Sequence, residues 1–172
     1  MPLHVIKEKF EVKPEVVHSG WKPYVDILDS GYHPAFIGCR VLKEVANKLH
    51  RHYLLKKLEH IPGHWRKDEK RFDIRITPSF DIRDQMKATD MFYQTGFHVF
   101  DTSQDVEAYC NSSGITELVK EIGSLSLQYL KVDYMDIVAK GTYNQINVTI
   151  AKQVKIRDIP SEYDRPYYHH WL

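Results

Sequence analysis

Apolar and polar residues alternate along several stretches of the chain, with the two-residue period of a half-buried β-strand. Residues 72–76 illustrate the pattern, because Phe72, Ile74 and Ile76 fall on one face and charged residues on the other. The same alternation recurs in three further segments, which are 3–12, 91–100 and 143–156. The pattern therefore predicts at least four strands. The last segment keeps one polar face, which is typical of an antiparallel sheet with one side in water.

A different period runs from Pro34 to Ile61, where apolar residues recur at helical spacing. Pro34 suits the first turn of a helix, and Pro62-Gly63 provides its end. Two apolar stripes lie on this helix, about 120° apart at ~100° per residue. The first consists of Leu42, Val45, Ala46, Leu49 and Tyr53, and the second of Leu54, Leu58 and Ile61. We expect the first stripe to face the core and the second to be covered by a loop or by a partner.

Two long β-type runs, Leu127–Val138 and Tyr143–Ile156, lie near the end of the chain. Lys140-Gly141 between them predicts the turn of a β-hairpin. Both arms greatly exceed the ~6 residues of an ordinary strand. We expect the hairpin to extend beyond its own sheet and to offer an unpaired edge to a neighbouring chain.

A further helical signal covers 103–125, where Ser103 suits the N-cap position and Gly114 interrupts the helix. The segments then follow the order β-α-β-β-α-β, which packs with helices on one face of a sheet. The expected fold class is α+β, with a mainly antiparallel sheet, two helical segments on one face and a long β-hairpin at the end. With 172 residues, the chain is expected to form a single domain, 1–172, with 159–172 as a docking C-terminal tail.

Charge is distributed unevenly, although the formal net charge is only +1. Between Arg40 and Arg75 the chain has eleven Lys and Arg against five Asp and Glu. This segment is either a solvated helix face with a polar loop, or a patch for an acidic partner or a phosphate backbone. The interspersed acidic residues favour the solvated face. Binding of nucleic acid through 40–75 remains possible but is not favoured.

The two cysteines, Cys39 and Cys110, provide neither a disulfide framework nor a zinc motif. No window approaches ~18 continuous apolar residues, which argues against a membrane-spanning helix. The first residues lack the apolar core of a secretory signal. We therefore expect a reducing, intracellular setting, or a place within an assembled particle.

Histidine and cysteine residues are the candidates for metal binding and for nucleophilic catalysis. His60 and His64 have the spacing of a helical metal pair, but Pro62-Gly63 breaks the helix between them. Neighbouring His50 and His52 point to nearly opposite sides of a helix. Cys39 lies near His33, yet no third group is in view to orient a nucleophile. We therefore predict no metal, no cofactor and no catalytic residue.

Acidic residues near the end of the chain resemble the composition of a metal-dependent nuclease site. Asp133 and Asp136 are accompanied by Lys140. Residues three apart on a strand face opposite sides, so this pair is predicted not to converge. Phosphate-binding glycine motifs, a nucleophile elbow and HExxH are all missing from the sequence.

The final segment, Tyr163–Leu172, is rich in Tyr, His and Trp, residues that are enriched at protein interfaces. Together with the second helix stripe, it predicts a docking surface. The expected partner-binding residues are Leu54, Leu58, Ile61, Tyr167, Tyr168, His169, His170 and Trp171. The sequence thus favours a non-catalytic subunit of a larger assembly, acting through protein–protein contacts as a homo- or hetero-oligomer. The alternatives are a small hydrolase- or nuclease-type enzyme with a site built from distant residues, or a nucleic-acid-binding module.

Overall fold

The computed structural model describes residues 2–11, 16–27, 34–36, 57–78, 80–123 and 125–157. They form a mixed α+β fold with mostly antiparallel sheet. The strands are β1 (Val5–Lys9), β2 (His18–Ile27), β3 (Ala35–Phe36), β4 (Trp65–Lys67), β5 (Asp73–Arg75), β6 (Phe92–Gln94), β7 (Phe97–Val99), β8 (Leu125–Tyr143) and β9 (Ile146–Ile156). The helices are α1 (Phe80–Arg83), α2 (Ser103–Ser112) and α3 (Ile115–Ile122), with a 3₁₀ turn at Ala88–Met91.

The predicted hairpin is confirmed as β8–β9, but its turn lies elsewhere in the chain. Asn144 and Gln145 form a two-residue turn with φ values of 46° and 66°, the left-handed backbone that the type I′ hairpin requires. The expected turn at Lys140-Gly141 is wrong, because both residues pair with β9. Gly141 has a different role: a Cβ there would overlap the carbonyl oxygen of Val5. The missing side chain allows β1 to approach β8.

The expectation that the hairpin projects from its sheet is also wrong. Strands β2 and β1 follow one another along the outer edge of β8, pairing with its residues 125–134 and 139–142. Strands β7 and β4 do the same along β9. The long arms are therefore flanked on both sides, and the length of each arm allows two strands to pair with it end to end.

The main sheet closes on itself through a short contact between β2 and the residue after β7. Trp21 and Phe100 exchange two backbone hydrogen bonds of 2.7 and 2.9 Å. Strands β2, β8, β9 and β7 therefore form a closed cycle of hydrogen-bonded neighbours. This closure gives the sheet an enclosed face and an outer face.

The two faces carry separate hydrophobic clusters. The enclosed face holds side chains from all four strands of the cycle, which are Tyr24, Val99, Leu130, Val132, Tyr134, Ala151, Val154 and Ile156. The outer face is covered in part by α2 and α3, which contribute Val106, Cys110 and Ile115 to the larger cluster. Burial of apolar surface on both faces supplies most of the stabilisation expected for such a sheet.

The helix predicted for 34–61 is wrong at its start, because Ala35–Phe36 is a strand paired with Tyr24–Val25. Residues 37–56 lie outside the described part of the chain. The helical signal at 103–125 is confirmed as α2 and α3, separated at Gly114, although Thr102 rather than Ser103 caps α2. The strand at 72–76 is confirmed as β5, whereas 91–100 is divided into β6 and β7. The full segment order and the shared helix face stay predictions.

Candidate functional site

Lys22 lies in the middle of β2 and points toward the enclosed face of the sheet. Alternation places it on the same side as Tyr24, a member of the enclosed cluster. Its side chain is only 7% exposed. The ammonium Nζ donates a 3.1 Å hydrogen bond to the backbone oxygen of His98 and lies 5.8 Å from the ring centre of Phe97. The side chain therefore crosses from β2 to β7.

Burial lowers the pKa of Lys22 from 10.5 to about 8. The folded protein therefore disfavours the charged ammonium relative to the unfolded chain. A shift of this size corresponds to roughly 3 kcal/mol of lost stability at neutral pH. Residues that reduce stability in this way are frequently located at functional sites.

A hydrogen-bonded pair of rings lies beside Lys22. The Nε2 of His60 is 2.9 Å from the carbonyl oxygen of His64, so this nitrogen carries the proton. The hydroxyl of Tyr24 then donates to Nδ1 of His60 at 3.3 Å. Burial is the main cause that lowers the pKa of His60 to about 4. The imidazole is therefore neutral near pH 7 and is held in one tautomer.

Arg66 brings a second positive charge to the same region. It lies in β4 opposite Val154, a member of the enclosed cluster, and its Nη1 donates to the backbone oxygen of Glu59 at 2.6 Å. Burial lowers the pKa of His60 most, the bond to His64 raises it, and the charges of Arg66 and Lys22 lower it further. Two cations from different strands thus produce a positive potential at this point.

A cavity of about 420 Å³ opens between β4 and β7, and Lys22 is part of its wall. It is lined by Lys22, Leu58, Arg66, Lys67, Asp68, Glu69, Lys70, Gly96, Phe97 and His98. We call this cavity the lysine pocket. Four of its lining side chains are cationic and two are acidic, a balance of +2. The arrangement suits an anionic group better than a metal ion.

Exposed apolar side chains lie on β4 and in the segment that precedes it. Trp65 of β4 is 36% exposed, and Ile61 in the preceding turn is 48% exposed. The ammonium of Lys155 lies 5.1 Å from the ring centre of Trp65. Strand β4 ends the order of the main sheet within the described residues. We call Ile61, Trp65, Lys67 and Lys155 the β4 rim.

Only part of the predicted docking surface lies within the described residues. Ile61 is exposed as expected, whereas Leu58 is half-buried, packs against the larger core cluster and lines the lysine pocket. The other predicted partner-binding residues lie outside the described residues, namely Leu54, Tyr167, Tyr168, His169, His170 and Trp171. Their role stays a prediction.

The prediction that Asp133 and Asp136 face opposite sides is wrong. Asp133 contacts Lys155 and Arg157, while Asp136 accepts a 2.6 Å hydrogen bond from Gln153. Their partners are alternate residues of β9 and its end, so both carboxylates share one face. The cause is the irregularity near residues 136–139, where Asp136 has a φ of 61°. In the described part of the chain, however, no three His, Cys, Asp or Glu side chains could together hold a metal ion.

The described helices are all too short or too polar to cross a membrane. Comparison with known proteins gives no relative: no family model, no curated protein and no solved structure matches the chain. The lysine pocket and the β4 rim must therefore be interpreted from their own chemistry.

The sequence gives no sign of Lys22 as a site residue. A single lysine among prolines and glycines has no local pattern that indicates burial.

Proposed function

We propose that this protein is a non-catalytic subunit of a larger assembly, such as a virion or a multi-subunit machine, and that it docks onto another protein along the β4 rim. The observation that carries the proposal is the pair of exposed apolar side chains, Ile61 and Trp65, on and beside a strand at the edge of the sheet. Tryptophan is among the residues that dominate binding energy at protein interfaces.

The chemistry of the rim favours an extended, acidic segment of the partner. An edge strand can accept a further strand through its backbone groups. Lys67 and Lys155 stand opposite Gln153 and Trp65 in the pairing of β4 with β9, so cations flank the apolar contact. Complementary charge on the partner would direct the encounter and set its orientation.

Catalysis is less well supported by the same region. His60 is only 2% exposed and both of its ring nitrogens are engaged. With a pKa of about 4, it would be a weak general base near neutral pH. The enzyme hypothesis therefore ranks second.

Native mass in extract of the producing cells tests the proposal. The wild-type chain is expected to elute in a large complex on size-exclusion chromatography, and Trp65→Ser is expected to release it as a free chain. Phe80→Ser is the matched control, because Phe80 is another exposed aromatic residue, 88% exposed, in α1. It should leave the complex intact. A monomeric wild-type chain, or equal release by both variants, contradicts docking through the β4 rim.

A further inference from the structure

We infer that the lysine pocket binds the phosphate group of a small ligand, with Lys22 at its inner end and Arg66, Lys67 and Lys70 around it. This inference concerns an activity other than docking along the β4 rim, with which the lysine pocket shares only Lys67. It depends on the convergence of cations from two distant parts of the chain, Lys22 and residues 66–70, upon one cavity.

The acidic side chains of the pocket weaken this positive charge only in part. Asp68 accepts a 3.0 Å hydrogen bond from the backbone N–H of Lys70, which draws one carboxylate oxygen toward the loop. Glu69 is exposed to solvent. Both carboxylates belong to the loop that follows β4. Lys22 and Arg66 instead lie on strands and face the enclosed side of the sheet.

Burial of Lys22 makes an incoming anion more favourable. An ammonium in a region of low dielectric interacts more strongly with an opposite charge than it would in water. A bound dianion would also offset the desolvation that lowers the pKa of Lys22 to about 8. The charges of Lys22 and Arg66 that lower the pKa of His60 would attract the same anion.

The volume and the charge of the lysine pocket favour a phosphate group on a small molecule. Its volume of about 420 Å³ lies within the ~300–1,000 Å³ of ordinary small-ligand sites. Phosphate is a dianion near neutral pH and accepts charge-assisted hydrogen bonds from both lysine and arginine. A dianion matches the +2 balance of the lining side chains.

Titration calorimetry with inorganic phosphate and inorganic sulfate tests the site on the full chain. We expect saturable binding of both anions to the wild type. Sulfate does not titrate in this range, so its proton linkage reports on the protein. At pH 8 the amine of Lys22 is about half protonated, and sulfate binding should draw up to about half a proton from the buffer. At pH 6 the uptake at this residue should fall to nearly zero.

Lys22→Met should abolish this proton uptake and weaken phosphate binding by about tenfold or more. Lys131→Met is the control, because Lys131 is a strand lysine of β8 outside the lysine pocket. It should bind phosphate as the wild type does. If Lys22→Met does not fold, the double exchange Lys67→Gln and Lys70→Gln alters only exposed side chains and should weaken binding several-fold.

Two sources of the phosphate group are distinguished by adding a single-stranded oligonucleotide as a second probe. If the ligand is a small phosphorylated molecule, the logarithm of the phosphate affinity should fall with the logarithm of the salt concentration with a slope of about 1. The oligonucleotide should then bind little more tightly than inorganic phosphate. A steep slope for the oligonucleotide that is unchanged in Lys22→Met would overturn the small-ligand site. Lack of saturable phosphate binding to the folded wild type, or equal weakening by Lys131→Met, would overturn the pocket itself.

Discussion

The two buried lysines, Lys22 and Lys152, occupy similar positions in the sheet but have different surroundings. Both lie in long strands, both are less than one-tenth exposed, and burial lowers the pKa of each. The ammonium of Lys152 donates to the carbonyl oxygens of Lys70 and Thr95 at 2.8 and 2.7 Å. It therefore links β9 to two other segments of the chain.

The ammonium of Lys22 donates to the backbone oxygen of His98 and lies next to an aromatic ring and a cavity. Asp68 partly offsets the effect of burial at Lys152, whereas the buried environment of Lys22 also contains His60 and Arg66. The difference indicates that burial of a charge does not by itself define a site. What matters is whether the charge completes the backbone hydrogen bonding of the fold or faces a space that a ligand can enter.

The largest expected effect is a loss of stability when Lys152, whose ammonium bonds two backbone oxygens, is replaced. Lys152→Met leaves the carbonyl oxygens of Lys70 and Thr95 without their ammonium donor, and the loss at a buried acceptor costs about 1–3 kcal/mol. Relief of the ammonium's own burial offsets part of this. We expect the free energy of unfolding to fall by about 2 kcal/mol at pH 7, as measured by urea denaturation. A variant as stable as the wild type would remove the structural role assigned to Lys152.

Lys22→Met is expected to act in the opposite direction and to depend on pH. The folded-state pKa of Lys22 is about 8, below its unfolded value of 10.5. The ammonium is therefore destabilising below pH 8, and this effect disappears as the pH rises to 10.5. Loss of the bond to His98 opposes the relief, so we expect a net stabilisation of roughly 1 kcal/mol at pH 7.

Urea denaturation of Lys22→Met at pH 7 and at pH 10 checks both parts of that expectation. Wild type should gain stability relative to the variant between these two values. If Lys22→Met is destabilised at pH 7 as strongly as Lys152→Met, the two lysines are equivalent and the comparison between them is wrong.

The alternation of apolar and polar residues predicted the strands better than it predicted the turn of the hairpin or the lysine pocket. The alternation at 72–76 and 143–156 reflects which face each residue buries, so β5 and β9 could be recognised from sequence. Gly141 was taken for a turn residue because its true role, the close approach of Val5, depends on a contact far along the chain.

Strand β2 illustrates the limit most clearly. Pro23 argues against a strand in sequence, yet it lies within β2 opposite Tyr129. The prolines and glycines around it are typical of a loop rather than of a strand. The burial of Lys22 then depends on residues 60, 66 and 98, which come together only when the sheet closes. No spacing rule applied to neighbouring residues could have found this site.

The smallest expected effect is a change in the pKa of His60, and it tests the electrostatic link within the lysine pocket. Burial and the charges of Arg66 and Lys22 hold this pKa at about 4, while the bond to His64 raises it. Lys22→Met removes one of the positive charges, so the pKa of His60 should rise, although the charge of Arg66 is the larger of the two causes and remains in place. Lys152→Met should leave it unchanged. NMR titration of the imidazole from pH 3 to 7 measures the shift.

The pKa of His60 also determines how stability depends on pH. Because the folded-state pKa is below the unfolded value of 6.5, the stability of the protein declines as the pH falls from 6.5 toward 4, and slightly less so in Lys22→Met. An unchanged His60 pKa in Lys22→Met, or an equal shift in Lys152→Met, would show that the positive potential at His60 does not come from Lys22.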